Sequence, residues 1–548
     1  MVFLSTFLIS MFITLALIPI LRSAAVRVNC GLDLPDARKV HCTPIPKVGG
    51  LAMALGAAAP ILLLADGGRF MASILVGALI ILVFGLVDDL RPLSWKAKFS
   101  GQITAALVVI LYGGLQICSL GDLAQTGFRL PPGACIALTL VVVVGVTNAI
   151  NLSDGLDGLA GGTSMLIFMC IGFLAFLSTE LPQRYTVMLL CAAMAGALFG
   201  FLRFNTHPAA VFMGDTGSQL LGFLAAVLAI GVTQNSGVLS PLLPLLLLGF
   251  PVLDTLSVMA ERIAEGRSPF SPDKNHIHHK LMRIGLWHSE AVVVIYGITA
   301  LLALAAFFLR NQSDWTLLMI YAAFAGPIVT ALAIAERSGF RLQREGFFDV
   351  AVKGRLKFIR EKSPVIRTVF PLLEFGLPFL FLGTAMLPAA VSSYLSAPAA
   401  GFFVIVAGGW FIRPDWAPAF LRTAFYCLVP IVLWEGQTEP IDWATGSAPM
   451  VMGAFGLLAL LMVMTLKFTR RRKGFKATPM DFLILVIALV VPNLPDPIIK
   501  SAHMGDLATK TIVLFFGFEV LIGELRGNVG RLAAGVLAGL GVLAVRGI

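Results

Sequence analysis

The chain reads as all-α, a polytopic transmembrane helical bundle of about eleven core helices followed by a C-terminal set of additional membrane helices. Three observations carry that reading. Hydrophobic residues make up 58% of the 548 and charged residues only 13%, roughly half the charged share of a soluble domain. Apolar runs near the length that crosses a bilayer recur from end to end. Lys and Arg divide unequally between alternate loops, as they do across a membrane. A mean hydropathy of +0.91 excludes a large soluble enzyme. The net charge of +10 would suggest nucleic acid in a soluble protein; here loop cations on one membrane face account for it, and no nucleic-acid partner is expected.

The expected core spans are 2–21, 48–65, 70–87, 100–118, 133–150, 163–179, 186–202, 217–233, 241–259, 291–309 and 316–335. The first lacks a charged n-region and a convincing cleavage site and ends at Arg22, so it reads as a retained helix rather than a signal peptide. The second starts at Gly49-Gly50, the third ends on Asp88-Asp89, and the eighth follows Asp215 and Ser218. Gly and Pro inside the other runs are tolerated in membrane helices far better than in soluble ones. The loops 22–47, 88–99, 151–162, 203–216 and 260–290 carry fourteen Lys and Arg; the five on the opposite side carry four. The first set is therefore cytoplasmic, with the N-terminus outside. The longer loops rich in Asp, His, Asn and Gly all belong to that cytoplasmic set, so an active site would open there.

Residues 1–335 form the expected catalytic core. Residues 336–368 follow as a basic interfacial segment, with nine Lys and Arg from Arg337 to Arg367 facing anionic lipid. Residues 369–548 read as an additional membrane domain of unknown role, with apolar runs near 369–388, 398–411, 420–435, 446–466, 480–495, 510–523 and 531–547. No repeat joins the halves, which weakens a transporter built on inverted repeats. The seven cysteines contain no close CxxC pair. Cys118 and Cys135 flank one short loop and read as two buried thiols rather than a bridge.

Five cytoplasmic constellations carry chemistry. Asp88-Asp89 ends a long apolar run, where adjacent carboxylates are costly without a cation or a function. Neighbouring helical residues point about 100° apart, so one can face a metal and the other a substrate; the plainer reading pairs Asp89 with Arg91. In Asn148–Gly162, NAINLSDGLDGLAGG, Asp154 and Asp157 share a face if helical, and the glycines permit close backbone approach. The later oxygen ligands of a calcium loop are missing there. FMGDTGSQ brings a third acid, Asp215, to the same membrane side. Three acidic loci suffice for Mg²⁺, which takes a few carboxylates, water and substrate phosphate oxygens.

The loop 261–290 holds His276, His278, His279 and His288 among Arg262, Arg267, Lys274, Lys280 and Arg283. That mixture suits a polyphosphate better than zinc, because thiolates and H-E-x-x-H are absent and the cations oppose a metal. The Pro-rich loop 33–50 offers Asp33, Arg38, Lys39 and His41 to close over an anionic ligand. Helix-end acids fit an interfacial enzyme better than a transporter with acids at the bilayer midplane. The residues alone thus point to Mg²⁺-dependent phosphoryl or phosphoglycosyl transfer.

FGLVDDL, NLSDGLDGLAGG, FMGDTGS and DKNHIHHKL, in that order, resemble the polyprenyl-phosphate N-acetylhexosamine-1-phosphate transferase superfamily, glycosyltransferase family 4, over about residues 1–335. The resemblance implies transfer of a sugar-1-phosphate, GlcNAc-1-phosphate foremost, from a UDP-sugar to undecaprenyl phosphate, with release of UMP and Mg²⁺ or Mn²⁺ as cofactor. It implies that Asp88 and Asp89 are the adjacent catalytic aspartates and that Asp154 and Asp157 lie near nucleotide and metal. Asp215 would be a magnesium ligand, helped by Asp89. His276, His278 and His279 would handle the pyrophosphate, with His279 counted as catalytic. Arg38, Lys39, His41, Arg267 and Lys274 are added as phosphate-binding residues by charge and place, and Asn151 as a uridine or hydrogen-bonding residue. HIHH in place of three consecutive histidines, with the DLPDARKVHCTPIPKVGG loop, is similar to the branch that starts lipopolysaccharide, exopolysaccharide and related envelope polymers. The phospho-MurNAc-pentapeptide transferase branch of peptidoglycan synthesis is the alternative. UDP-N-acetylhexosamine, undecaprenyl phosphate and anionic lipids are the expected partners, together with a second copy in a homodimer.

Overall fold

The computed structural model describes residues 2–34, 44–65, 67–124, 128–234, 239–269, 275–342, 364–412, 417–438, 440–441, 448–468, 504–525 and 529–547. They form two compact units, one over the first 342 residues and one beyond. Ten helices among them are long and apolar enough to cross a membrane, so the chain is an all-α, multi-pass membrane protein.

The first unit contains α1 (Val2–Val28), α2 (Gly49–Leu64), α3 (Arg69–Leu90), α4 (Trp95–Leu107), α5 (Pro132–Leu152), α6 (Leu159–Leu177) and α7 (Arg184–Asn205). It continues with α8 (Gly214–Gln234), α9 (Leu243–Leu247), α10 (Gly249–Ala264), α11 (Ile277–Ile284), α12 (His288–Phe308) and α13 (Asp314–Arg337). Helix α8 is the post of the bundle: its apolar window is wholly buried and α2, α3, α5 and α6 pack on it. Small residues allow this. A Cβ on Gly222 would lie 2.6 Å from Thr147 Cα of α5, and one on Gly50 2.3 Å from the Gly217 amide nitrogen, so backbones meet where lipid offers no hydrophobic drive for association.

Two expected spans differ in detail. The span 100–118 is α4 from Trp95, closing in a π-helical turn over Val108–Tyr112 before an extended segment. The span 241–259 breaks at Leu248 into α9 and α10, because Pro251 has no N–H for the Leu247 carbonyl. Helix α11 was not expected; it is eight residues long and ends at Gly285, φ +112°, too short and charged to register as a span. Two short strands, β1 (Leu32–Asp33) and β2 (Ile45–Pro46), pair antiparallel between α1 and α2.

Cys118 and Cys135 are disulfide-bonded, with Cα atoms 4.9 Å apart, which corrects the reading of two separate thiols. The Leu130 amide donates to the Cys118 carbonyl at 2.9 Å and the Ile117 amide to Thr139 Oγ1 at 2.8 Å. The extended segment therefore lies along the start of α5 and the thiols meet. On the same side, buried Asp314 accepts from the Asp122 amide at 2.7 Å and from the Ser240 hydroxyl, gathering three loops.

The second unit has helices Pro364–Met386, Ser393–Ile412, Ala417–Thr438, Ala448–Phe468, Met504–Leu525 and Gly530–Arg546. Within it Arg422 Nε contacts Glu519 at 2.7 Å and Tyr426 donates to the same carboxylate at 2.6 Å. The expected run 480–495 and most of the basic segment 336–368 lie outside the described residues.

Candidate active site

The last turn of α3 turns Asp88 and Asp89 in different directions. Asp89 faces the start of α8. Its Oδ1 accepts from the Asp215 amide at 2.9 Å; its Oδ2 accepts from the Thr216 amide at 3.0 Å and the Thr216 hydroxyl at 2.6 Å. A carboxylate from another helix thus caps the orphan N–H groups and positive end of α8. Glycine is required on both sides: a Cβ on Gly214 (φ +67°) would lie 2.3 Å from Asp89 Oδ2, and one on Gly85 2.6 Å from Thr216 Cα. Asp88 accepts from the Leu93 amide at 2.7 Å and pairs with the Lys98 ammonium of α4.

Lys98 Nζ also lies 3.4 Å from Asp215 Oδ2. One cation therefore joins the first and third acidic loci. Asn151, at the end of α5, donates to Asp215 Oδ1 at 2.9 Å and accepts from Ser218 Oγ at 3.1 Å. Lys47, just after β2, places its ammonium 3.7 Å from Asp89 and 4.0 Å from Asp33. It is held there because the Phe212 amide donates to the Pro46 carbonyl at 2.9 Å, while the Gly49 and Gly50 amides donate back to Phe212 and Met213 at 2.9 and 3.0 Å.

Asp154 has part of its surface open, yet it lies within protein among like charges. Burial first, then Asp215, Asp157 and Asp89, push its carboxyl up to about 7, against the pull of Lys47. Asp157 is turned elsewhere: its Oδ2 meets His207 Nδ1 at 2.7 Å and the Ala209 amide at 3.1 Å.

The histidine loop is anchored by Asp254, buried in α10. Its carboxylate meets His276 Nδ1 at 2.8 Å and accepts from the Ile277 amide at 2.6 Å, capping α11. His278 follows on α11 and lies against the glycine-rich loop: a Cβ on Gly155 would sit 2.3 Å from His278 Nε2. That nitrogen is buried without a hydrogen-bond partner. Burial, then the neighbouring His279, hold the imidazole neutral, down to about 3. The His279 ring lies 4.2 Å from that of His278. Lys280 pairs with Glu261, and Arg283 with Glu336 at 2.5 Å, tying α11 to α10 and α13. Arg267 pairs with Glu265 on its own exposed turn. Arg38, Lys39, His41 and Lys274 lie outside the described residues.

A family model described as glycosyl transferase family 4 matches residues 71–233, the stretch that contributes Asp88, Asp89, Lys98, Asn151, Asp154 and Asp215. The chain is 36% identical over 322 residues to a probable undecaprenyl-phosphate N-acetylglucosaminyl 1-phosphate transferase of Bacillus subtilis (strain 168), covering 57% of this chain and 87% of the relative. The chain belongs to this family. Other relatives of this polyprenyl-phosphate hexosamine-1-phosphate transferase include a decaprenyl-phosphate N-acetylglucosaminephosphotransferase of Mycobacterium tuberculosis (strain CDC 1551 / Oshkosh), 36% identical over 55% of this chain and 82% of the relative. An undecaprenyl-phosphate alpha-N-acetylglucosaminyl 1-phosphate transferase of Escherichia coli (strain K12) is 32% identical, over 58% and 88%.

The transferase thus brings Asp88 and Asp215 from two helices to one ammonium, with Asn151 of a third bonded to Asp215 and His278 against the glycine-rich loop. Lys47, Lys98 and Asp254 were missed in the sequence. Lys98 lies ten positions after Asp88 and Lys47 directly precedes Val48-Gly49-Gly50, so proximity to motifs was a usable signal; Asp254, inside an apolar helix, gave one only as a lone buried acid. The donor set fits a hard divalent cation: Asp88 and Asp215 offer carboxylate oxygens already drawn to one shared cation, and substrate phosphates complete such a site.

Proposed function

We propose that this transferase moves GlcNAc-1-phosphate from UDP-GlcNAc to undecaprenyl phosphate, releasing UMP, at the cytoplasmic face of a bacterial inner membrane. The observation that carries the reading is the gathering of Asp88, Asp215 and the Lys98 ammonium at helix ends, where the two carboxylates can hold a divalent cation and the ammonium can meet a phosphate. The relatives' names supply the sugar and the polyprenyl acceptor. The loop charges support that orientation, as does the Cys118–Cys135 disulfide, a bond that suits an oxidising compartment.

In the reaction an oxygen of the lipid phosphate bonds to the β-phosphorus of the donor. The bond from that phosphorus to the bridging oxygen breaks, and its electron pair leaves with UMP. The sugar C1–O bond survives, so anomeric configuration is retained. A phosphate monoester, with its second pKa near ~6, is mostly ionised at neutral pH and needs no strong base. Asp88 therefore orients Lys98, and Lys98 draws the phosphates together and offsets their charge. Asn151 and Ser218 hold Asp215 in place, Asp89 keeps the start of α8 against α3, and neutral His278 offers its free ring nitrogen to a phosphate oxygen or hydroxyl. Mg²⁺ or Mn²⁺, which Asp88 and Asp215 would hold, supplies charge neutralisation at the diphosphate and the leaving oxygen.

The test is UMP release by purified protein offered undecaprenyl phosphate and a panel of UDP-sugars, with and without Mg²⁺. UDP-GlcNAc should be the best donor and the cation essential. Absence of UMP with every donor, or undiminished turnover in both Asp88→Asn and Asp215→Asn, would refute the proposal.

A further inference from the structure

Asp157 turns away from the site just described and meets two histidines from distant parts of the chain. Asp157 Oδ2 contacts His207 Nδ1 at 2.7 Å and lies 4.0 Å from His288 Nε2. The Ala209 amide also donates to that oxygen, at 3.1 Å. The two imidazoles face each other with centroids 4.3 Å apart. Both ring nitrogens of His288 are buried without a hydrogen-bond partner, a costly state for a polar ring unless something else meets them. Among the described residues this is the one group of three or more such side chains with ligand atoms all within 4.8 Å of one another.

We propose that Asp157, His207 and His288 form a binding site for a borderline transition-metal dication, Zn²⁺ first, separate from the Asp88–Asp215 locus. Two imidazoles and one carboxylate are a donor set that zinc accepts and magnesium does not favour. A dication about 2.0–2.2 Å from each donor requires those atoms about 3–3.5 Å apart. The observed 2.7 and 4.0 Å bracket that spacing, so small side-chain rotations suffice. The metal would replace the proton now shared between Asp157 and His207 and would give His288 its missing partner, with water in the fourth position. It would pin together the loop after α5, the loop after α7 and the first residue of α12. The first of these carries Asp154 and Gly155, and the second leads into Asp215, so the ion would brace the active-site loops without touching the reacting phosphates.

The full chain, purified in detergent and stripped with chelator, should bind one equivalent of Co²⁺ with a visible band of tetrahedral intensity. His207→Ala and His288→Ala should each weaken that binding by about 100-fold or more, whereas Asp215→Asn should leave the band intact. X-ray absorption on the zinc-loaded wild type, which needs no variant to fold, should count two imidazoles per zinc. Absence of the band, its survival in both histidine variants, its loss in Asp215→Asn, or a count of one or three imidazoles would overturn the site; three would point to the His276–His279 loop.

Discussion

Lys98 stands where two acidic loci need a counter-charge, and its neighbours indicate how much depends on it. With Lys98→Ala the Asp88 and Asp215 carboxylates would face each other without the ammonium between them. UMP release should fall by about 10²-fold, the usual cost of losing one preorganised electrostatic contact, and Lys98→Arg should recover part of it; steady-state turnover of the three proteins checks this. Asp154 gives a prediction in pH. Its folded-state carboxyl, pushed up to about 7 from an ordinary 3.8, holds its proton more tightly than in the unfolded chain. The stability it contributes is therefore full in acid and is lost as pH rises through about 7. In divalent-free detergent, the unfolding midpoint of the wild type relative to Asp154→Asn should fall from acid pH towards neutral and level off above. A flat difference would show that the carboxyl is not perturbed. His278, shifted the other way, loses its contribution as pH falls below the ordinary histidine range towards about 3; that slope opposes the Asp154 slope over the same range, and the comparison with Asp154→Asn isolates the aspartate.

Helix α8 owes its place to small residues on its neighbours rather than to its own hydrophobicity. Gly85 of α3 lies against Thr216 Cα, where a methyl group would sit at 2.6 Å from backbone that cannot rotate away. Gly85→Ala should destabilise the protein by about 1–3 kcal/mol. Because the same displacement loosens the Asp89 cap on α8, turnover should fall with it; thermal unfolding and UMP release measured together distinguish this from a purely structural loss. The elements also show what spacing left open. Asp89, which the resemblance implies helps bind the metal, has both of its oxygens bonded to α8, a cap that a helix more than a hundred positions away determines. Asp157, grouped with Asp154 by spacing, turns instead to His207, because residues 153–158 run as turns rather than continuing as helix, the last of them Gly158 at φ +82°.

The whole molecule separates chemistry from the C-terminal half. Every described residue of the candidate site lies in the unit formed by the first 342 residues, and the relatives align over 314 to 332 residues. A chain ending after residue 342 should insert in the membrane and keep UMP release within about tenfold of the full chain. Loss of activity with intact insertion would assign the second unit a direct part in the reaction. That unit has its own ion pairs, Arg422 with Glu519 at 2.7 Å and Lys510 with Asp506 at 2.6 Å.

Composition and the spacing of apolar runs were enough to establish a multi-pass helical protein, because a bilayer demands long helices whatever their arrangement. The four motifs likewise marked Asp88, Asp154, Asp215 and His278, since polar residues at the ends of membrane helices stand out against their surroundings. Which aspartate meets the shared ammonium, which one caps a helix and which one turns to a pair of histidines could not be read from spacing. Those assignments depend on side-chain direction and on contacts between positions from ten to more than a hundred residues apart, many of which exist only after α3, α5 and α6 have packed around α8.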